Sequence, residues 1–132
     1  MDICKIGEKE YSVVVVSITE TFTKLYTENT GRTMGAGARM NLDCLGTFFG
    51  HRVEIARKAG FESDFDELFD LASLPTNDGI PVKMVHNQDS IEYEAYISNG
   101  ERAVKRIDEK TGKVYWDKLS LNIIPMEAQK TI

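Results

Sequence analysis

The sequence is poor in the residues that small disulfide-stapled or metal-stapled proteins depend on. Its 132 residues include two cysteines, two histidines and three prolines. Cys4 and Cys44 form no C-x-x-C pair, so zinc-ribbon and dithiol spacings are absent, and both thiols are expected as small core residues. The longest purely apolar run is Val13–Val16, against the roughly 20 residues of a membrane-spanning helix. Met-Asp-Ile-Cys-Lys is not a secretory start, and the chain is expected to be soluble and intracellular when made, with no membrane partner. Basic blocks are missing too: 16 Lys and Arg face 21 Asp and Glu, a formal charge of -5. That balance argues against a nonspecific nucleic-acid binder, whose affinity comes from cations at phosphates. What is present is 42% apolar residues in a length that removes roughly two-thirds of the unfolded surface from water, enough for one core. A single domain over 1–132 is expected.

Strand character dominates. Asp2–Ile6 and Tyr11–Thr21 flank the turn-like Gly7-Glu8-Lys9-Glu10, which predicts strand, tight turn, strand. Tyr11, Val13 and Val15 alternate with Val14, Val16 and Ile18, so both faces look apolar, as in a strand buried between two layers. Beyond Ser17 the strand becomes half-wet. Leu42–Leu45 and Thr47–Ala56 return to strand character, with Gly46 and Gly50 as expected bends or bulges. One helix is expected over Ser63–Ser73, with Ser63 as N-cap and Phe65, Leu68, Phe69 and Ala72 on one face. Leu74-Pro75 ends it, because proline pushes the preceding residue out of the α region. A meander follows: Val82–His86, a strand through Ile91, Tyr93, Ala95 and Ile97, a hairpin at Asn99-Gly100, Arg102–Ile107, a turn at Asp108–Gly112, and Val114–Pro125. Placing Trp116 and Leu119 on one face requires a bulge at Asp117-Lys118. The tail Met126–Ile132 carries no recognisable anchor. Seven or eight strands and one helix predict a mainly β fold, an antiparallel sandwich or barrel with a short flanking α-helix and a long glycine-rich loop.

That loop runs from Leu25 to Met40 and is the candidate functional segment. Asn29, Thr30, Gly31, Arg32, Thr33, Gly35, Gly37 and Arg39, with Lys24 at its entry, have little apolar periodicity. Loops this long in compact domains are functional or disordered. A phosphate-loop reading fails, because Gly37 leads through Ala38, Arg39 and Met40 to a strand and not through Gly-Lys into a helix. A mobile surface loop and an arm that orders against a partner remain. Glu62, Asp64, Asp66, Glu67 and Asp70 read as a solvated helix face, since the EF-hand spacing is missing. Histidine bases are scarce: His51 lies in an apolar strand and His86 at a turn, and both are expected to be structural or exposed. No catalytic residue, metal ligand or cofactor site is expected.

The chain resembles small structural proteins of tailed bacteriophages and prophages, the tail-tube, distal-tail and related ring-forming group. Four stretches carry the resemblance: Tyr11–Phe22; Asn29-Thr30-Gly31-Arg32-Thr33 leading to Leu45-Gly46-Thr47; Asp66-Glu67-Leu68-Phe69 to Pro75; and Glu94-Ala95-Tyr96-Ile97 with Tyr115-Trp116 and Ile123-Ile124-Pro125-Met126. The resemblance implies a single tail-tube-like β domain and a non-enzymatic role in the virion tail, after synthesis in the host cytoplasm. It further implies self-association into a homo-oligomeric ring, commonly a hexamer. The ring would contact other tail proteins, and DNA would pass through its channel without specific binding. The subunit interface would then be the loop from Lys24 to Arg39. Two readings compete: a small β-barrel binding module or adaptor that takes a peptide or oligosaccharide on Trp116, Tyr93 and Tyr96, and, third, an enzyme using His51 or His86.

Overall fold

Strand β5 (Cys44–Arg57) is the axis of the molecule, flanked by a partner strand on each side. His51, Val53 and Ile55 fall at the strand period of two, face the same side and are buried. The structure, a computed structural model, describes residues 4–131. It comprises β1 (Cys4–Ile6), β2 (Val13–Tyr26), β3 (Gly31–Arg32), β4 (Met40–Asn41), β5, α1 (Glu62–Ser73), β6 (Ile80–His86), β7 (Asp89–Ile107) and β8 (Val114–Pro125). Six strands form one antiparallel sheet in the order β1-β6-β7-β8-β5-β2, and β3 and β4 pair separately. The expected mainly β class with one short helix is what the chain adopts. Residues 1–3 and 132, which include part of the expected Asp2–Ile6 strand and the end of the tail, lie outside the described residues.

The core lies on one face of this sheet, under α1. Val53 stands opposite Leu121 and Ile55 opposite Leu119, while Met84 of β6 stands between Ile91 and Cys4. α1 buries Phe65 and Leu68 against them. Removing each such side chain from water contributes about 1.5–3 kcal/mol. Arg102 of β7 fixes the helix from the side: its guanidinium lies 3.9 Å from both the Phe69 and Trp116 rings and donates to Asp66 at 2.8 Å. Trp116 is thus half-buried under a cation.

Several local signals were overridden by tertiary contacts. Asn99-Gly100 makes no hairpin; β7 runs straight through it, because β8 offers partners to both halves of the strand. Ile97 opposes Ile123 and Gly100 opposes Leu121, so the pair forms a bulge. Glycine is needed at 100 for space, since a Cβ would stand 2.7 Å from Leu121 Cδ2. The chain reverses instead at Asp108–Gly112, as expected there, and the Asp117-Lys118 bulge is present, with Arg102 opposite Leu119 but Val104 opposite Trp116. β1 and β2 are not a hairpin either: they are the two opposite edges of the sheet. Gly7, at φ 78°, leaves β1 under the helix, where a Cβ would meet Leu71 at 2.9 Å. β2 packs Val13 and Val15 on the core but leaves Val14 and Val16 exposed, not buried between layers, because nothing covers them.

The helix begins one residue before the expected Ser63, with Phe61 at the N-cap position and no side-chain cap. Its first-turn Asp64 serves a different donor, the Ser12 backbone N–H at 2.8 Å. The stop at Leu74 is as expected, with that residue extended at ψ 121°. The acidic helix side is the solvated face expected, with Asp66, Glu67 and Asp70 exposed, and three of its carboxylates form surface ion pairs: Asp66 with Arg102, Glu67 with Lys9, and Glu62 with Lys113. Gly50 sits in regular register opposite Thr21, whereas Gly46 adjoins a true bulge that leaves Leu45 unpaired. Leu119→Ala, which empties a fully buried site, is expected to cost about 2–5 kcal/mol in urea unfolding without changing the transition's slope.

Candidate functional site

The sheet's most unusual feature is an arm. β2 and β5 stay paired from Val13 opposite Arg57 out to Tyr26 opposite Cys44, but β8 accompanies β5 only from Ile55 to His51. At about 3.3 Å per residue, the six residues Thr21–Tyr26 extend the hairpin ~20 Å past that point. This arm and its tip hold much of the exposed apolar surface: Phe22 (66% exposed), Leu25, Met34, Met40, Leu42 (62%) and Leu45. Single exposed apolar residues are ordinary on any protein; a concentration on one projection marks an interaction surface.

The residues singled out in the sequence sit at the tip, and most of them are ordered among themselves. Gly31 and Arg32 are β3, opposite Asn41 and Met40. Thr30 accepts the Asp43 N–H at 2.9 Å, the Asn29 carbonyl accepts the Asn41 amide, and the Thr33 N–H donates to Arg39 O at 2.8 Å. The turn closes with Ala38 N–H on Gly35 O, and Arg32 Nη1 donates to Ala38 O. Gly37 at φ 82° is followed by Ala38 at φ 42°, a left-handed conformation that costs a non-glycine residue about 1–3 kcal/mol. The long glycine-rich loop expected here, read as either a mobile surface loop or an arm that orders against a partner, contains a built miniature hairpin. Lys24 lies lower, on the arm opposite Thr47, and Arg39 is exposed. Sequence reading singled out the glycines and polar residues but missed the apolar side chains on the strands beneath; Phe22, Leu25 and Leu45 were the available signal.

The arm's root is held by two devices. The first is His51, whose side chain has no accessible surface. Its Nδ1 lies 2.7 Å from the Tyr93 hydroxyl on β7, and its Nε2 lies 3.1 Å from Glu20 Oε2 on β2 and 3.0 Å from Val85 O on β6. Every distance is satisfied when Tyr93 donates to Nδ1 and the proton on Nε2 is shared between the two oxygens, an assignment made from geometry. His86 Nδ1 reaches the same Glu20 oxygen at 2.8 Å. Burial, reinforced by the Glu20 charge, pushes the Tyr93 hydroxyl far above the ordinary tyrosine range. The buried imidazole thus ties β5 to β2, β6 and β7 at the root of the arm.

The second device is the tail. Gln129 lays its side-chain amide along β5, donating to Phe49 O and accepting the Phe49 N–H, both at 3.0 Å. Thr47 exchanges backbone hydrogen bonds with Lys130 at 2.9 and 3.3 Å. Gly46 admits this strap, since a Cβ there would stand 2.7 Å from Ala128 Cβ. The tail therefore has an anchor that no sequence signal announced, because a glutamine standing in for a strand becomes visible only against a free edge.

Among the described residues no three His, Cys, Asp or Glu side chains group to hold a metal ion, and no helix is long and apolar enough to cross a membrane. The aromatics considered for a binding module are scattered: Trp116 is covered by Arg102, Tyr93 hydrogen-bonds His51, and Tyr96 is exposed. No protein-family model and no curated protein matches the chain.

Two outcomes are expected at the root. His51→Ala leaves Tyr93, Glu20 and Val85 O without their shared partner and should lower stability by about 3 kcal/mol or more in denaturant titration. Tyr93 has its folded pKa raised, so its contribution is complete below the unfolded value near 10 and is lost as pH rises above it. The urea midpoint should therefore fall more steeply between about pH 9.5 and 11.5 in the wild type than in Tyr93→Phe, and parallel curves would contradict the assignment.

Proposed function

We propose that the protein is a non-enzymatic assembly subunit that associates with further copies of itself, and that it serves in the tail of a bacteriophage or prophage as a ring around the DNA channel. The observation that carries the assembly reading is the projecting arm: a long hairpin braced at its root, with apolar side chains exposed along it and a tip ordered in advance. A monomer gains nothing from such a projection, whereas a partner surface would remove its apolar area from water. Pre-ordering the tip lowers the entropy lost on docking. The resemblance to tail-tube and distal-tail proteins supports the particular setting, as does the net charge of -5, which suits a wall past which DNA must slide.

The reading is tested by solution mass over a concentration series, with electron micrographs of any large species. Rings or stacked rings are expected. Deleting Thr30–Ala38 should leave the circular-dichroism spectrum and urea midpoint close to wild type while abolishing the large species. A wild type that stays monomeric at every concentration, or a deletion that assembles as well as the wild type, would sink the role of the arm.

A further inference from the structure

We infer that the arm's tip docks into one particular place on a second copy of the chain: the groove between the C-terminal end of α1 and the bulge of β7. This inference rests on the assembly reading and names its receptor. The groove encloses about 410 Å³ and is floored by Phe69, Ala72, Ile97 and Leu121, with Leu74 on its rim. It exists for two reasons of sequence. Pro75 turns the chain away just after Leu74, which leaves that side chain 58% exposed, and Gly100 places no Cβ over Leu121.

Shape and charge both select the tip as occupant. Met34 stands at the end of the arm with its side chain fully in solvent, a flexible apolar probe that adapts to an irregular groove. Between Asn29 and Leu42 the only charged residues are Arg32 and Arg39, so this segment carries +2 and the remaining chain, with 14 Lys and Arg against 21 Asp and Glu, carries -7. The groove lies at the negative pole of α1, whose last turn has no basic residue and whose exposed Asp70 lies one turn before Leu74. The tip does not occupy the groove of its own chain: Met34 is fully exposed, no tip residue lines the groove, and the hydrogen bonds described for residues 27–43 stay within that segment. Tip and groove are different surfaces of one chain, so the contact is head-to-tail, and it closes into a ring or continues as a filament according to the rotation between copies.

The experiment is cross-linking between two singly labelled proteins. Gly35→Cys keeps Met34, and Ser73→Cys keeps Leu74; both are made with Cys4→Ala and Cys44→Ser, so that each protein carries one thiol. Mixed with a short bis-maleimide, the 35–73 pair should join at least about tenfold faster than a 35–111 control made with Thr111→Cys on the β7–β8 turn, as expected when docking raises the effective concentration. Leu74→Asp in the Ser73→Cys protein should remove that advantage. If the wild type assembles but the two pairs join equally, the receptor is overturned and the assembly reading stands. A faster 35–35 product would likewise overturn it, in favour of tip-to-tip contact. A wild type that never assembles, with no 35–73 preference, overturns both.

Discussion

One buried imidazole holds this fold in its shape. The sheet order leaves β2 and β6 far apart, yet His51 touches a carboxylate on β2, a carbonyl on β6 and a hydroxyl on β7. The sheet must therefore curl until those three groups converge on one ring. Burying a histidine is costly unless both nitrogens are satisfied, so the arrangement is demanding as well as stabilising: each partner must be present for the others to be tolerated. Glu20 is the shared member, since His86 uses the same oxygen.

The curl determines what the two edges of the sheet can do. β1 is only three residues long and offers little to pair with, whereas β2 is a fourteen-residue edge that runs on into the arm. On the inner side of the arm, where β8 no longer accompanies β5, the Gln129 amide and the Lys130 backbone take over the ladder. The arm is thus supported as far as Thr47 and bare beyond it, where Leu25, Met34, Met40, Leu42 and Leu45 are exposed. Rigidity at the root and apolar exposure toward the tip are what a docking element requires, because ordering costs are met before the partner arrives.

Charge follows the same division. The helix carboxylates form a solvent-facing acidic side whose ion pairs to Lys9, Arg102 and Lys113 are at the surface, and of these three cations only Arg102 stands on a strand of the sheet. Arg102 lies between two aromatic rings, a geometry for which lysine would be a poor substitute. The positive charge left unengaged by carboxylates toward the tip is a small island on an otherwise acidic chain.

Local chemistry by itself determined the β class, the strands around Val53 and Leu121, the stop at Leu74-Pro75 and the bulge at Asp117-Lys118. These depend on side-chain alternation and backbone restriction within a few residues, which sequence carries directly. Tertiary structure alone decided the rest. Asn99-Gly100 has the composition of a turn, but a continuous neighbour in β8 makes an extended bulge the better-paired state. Val13–Val16 reads as a buried strand, but Val13 and Val15 pack on the core while Val14 and Val16 are exposed, since no second layer covers them. The partners of His51 come from residues 20, 85 and 93, and the partner of Phe49 from residue 129. Such contacts join residues far apart in the chain, and their stabilisation exists only once the sheet has curled and brought them within hydrogen-bond reach.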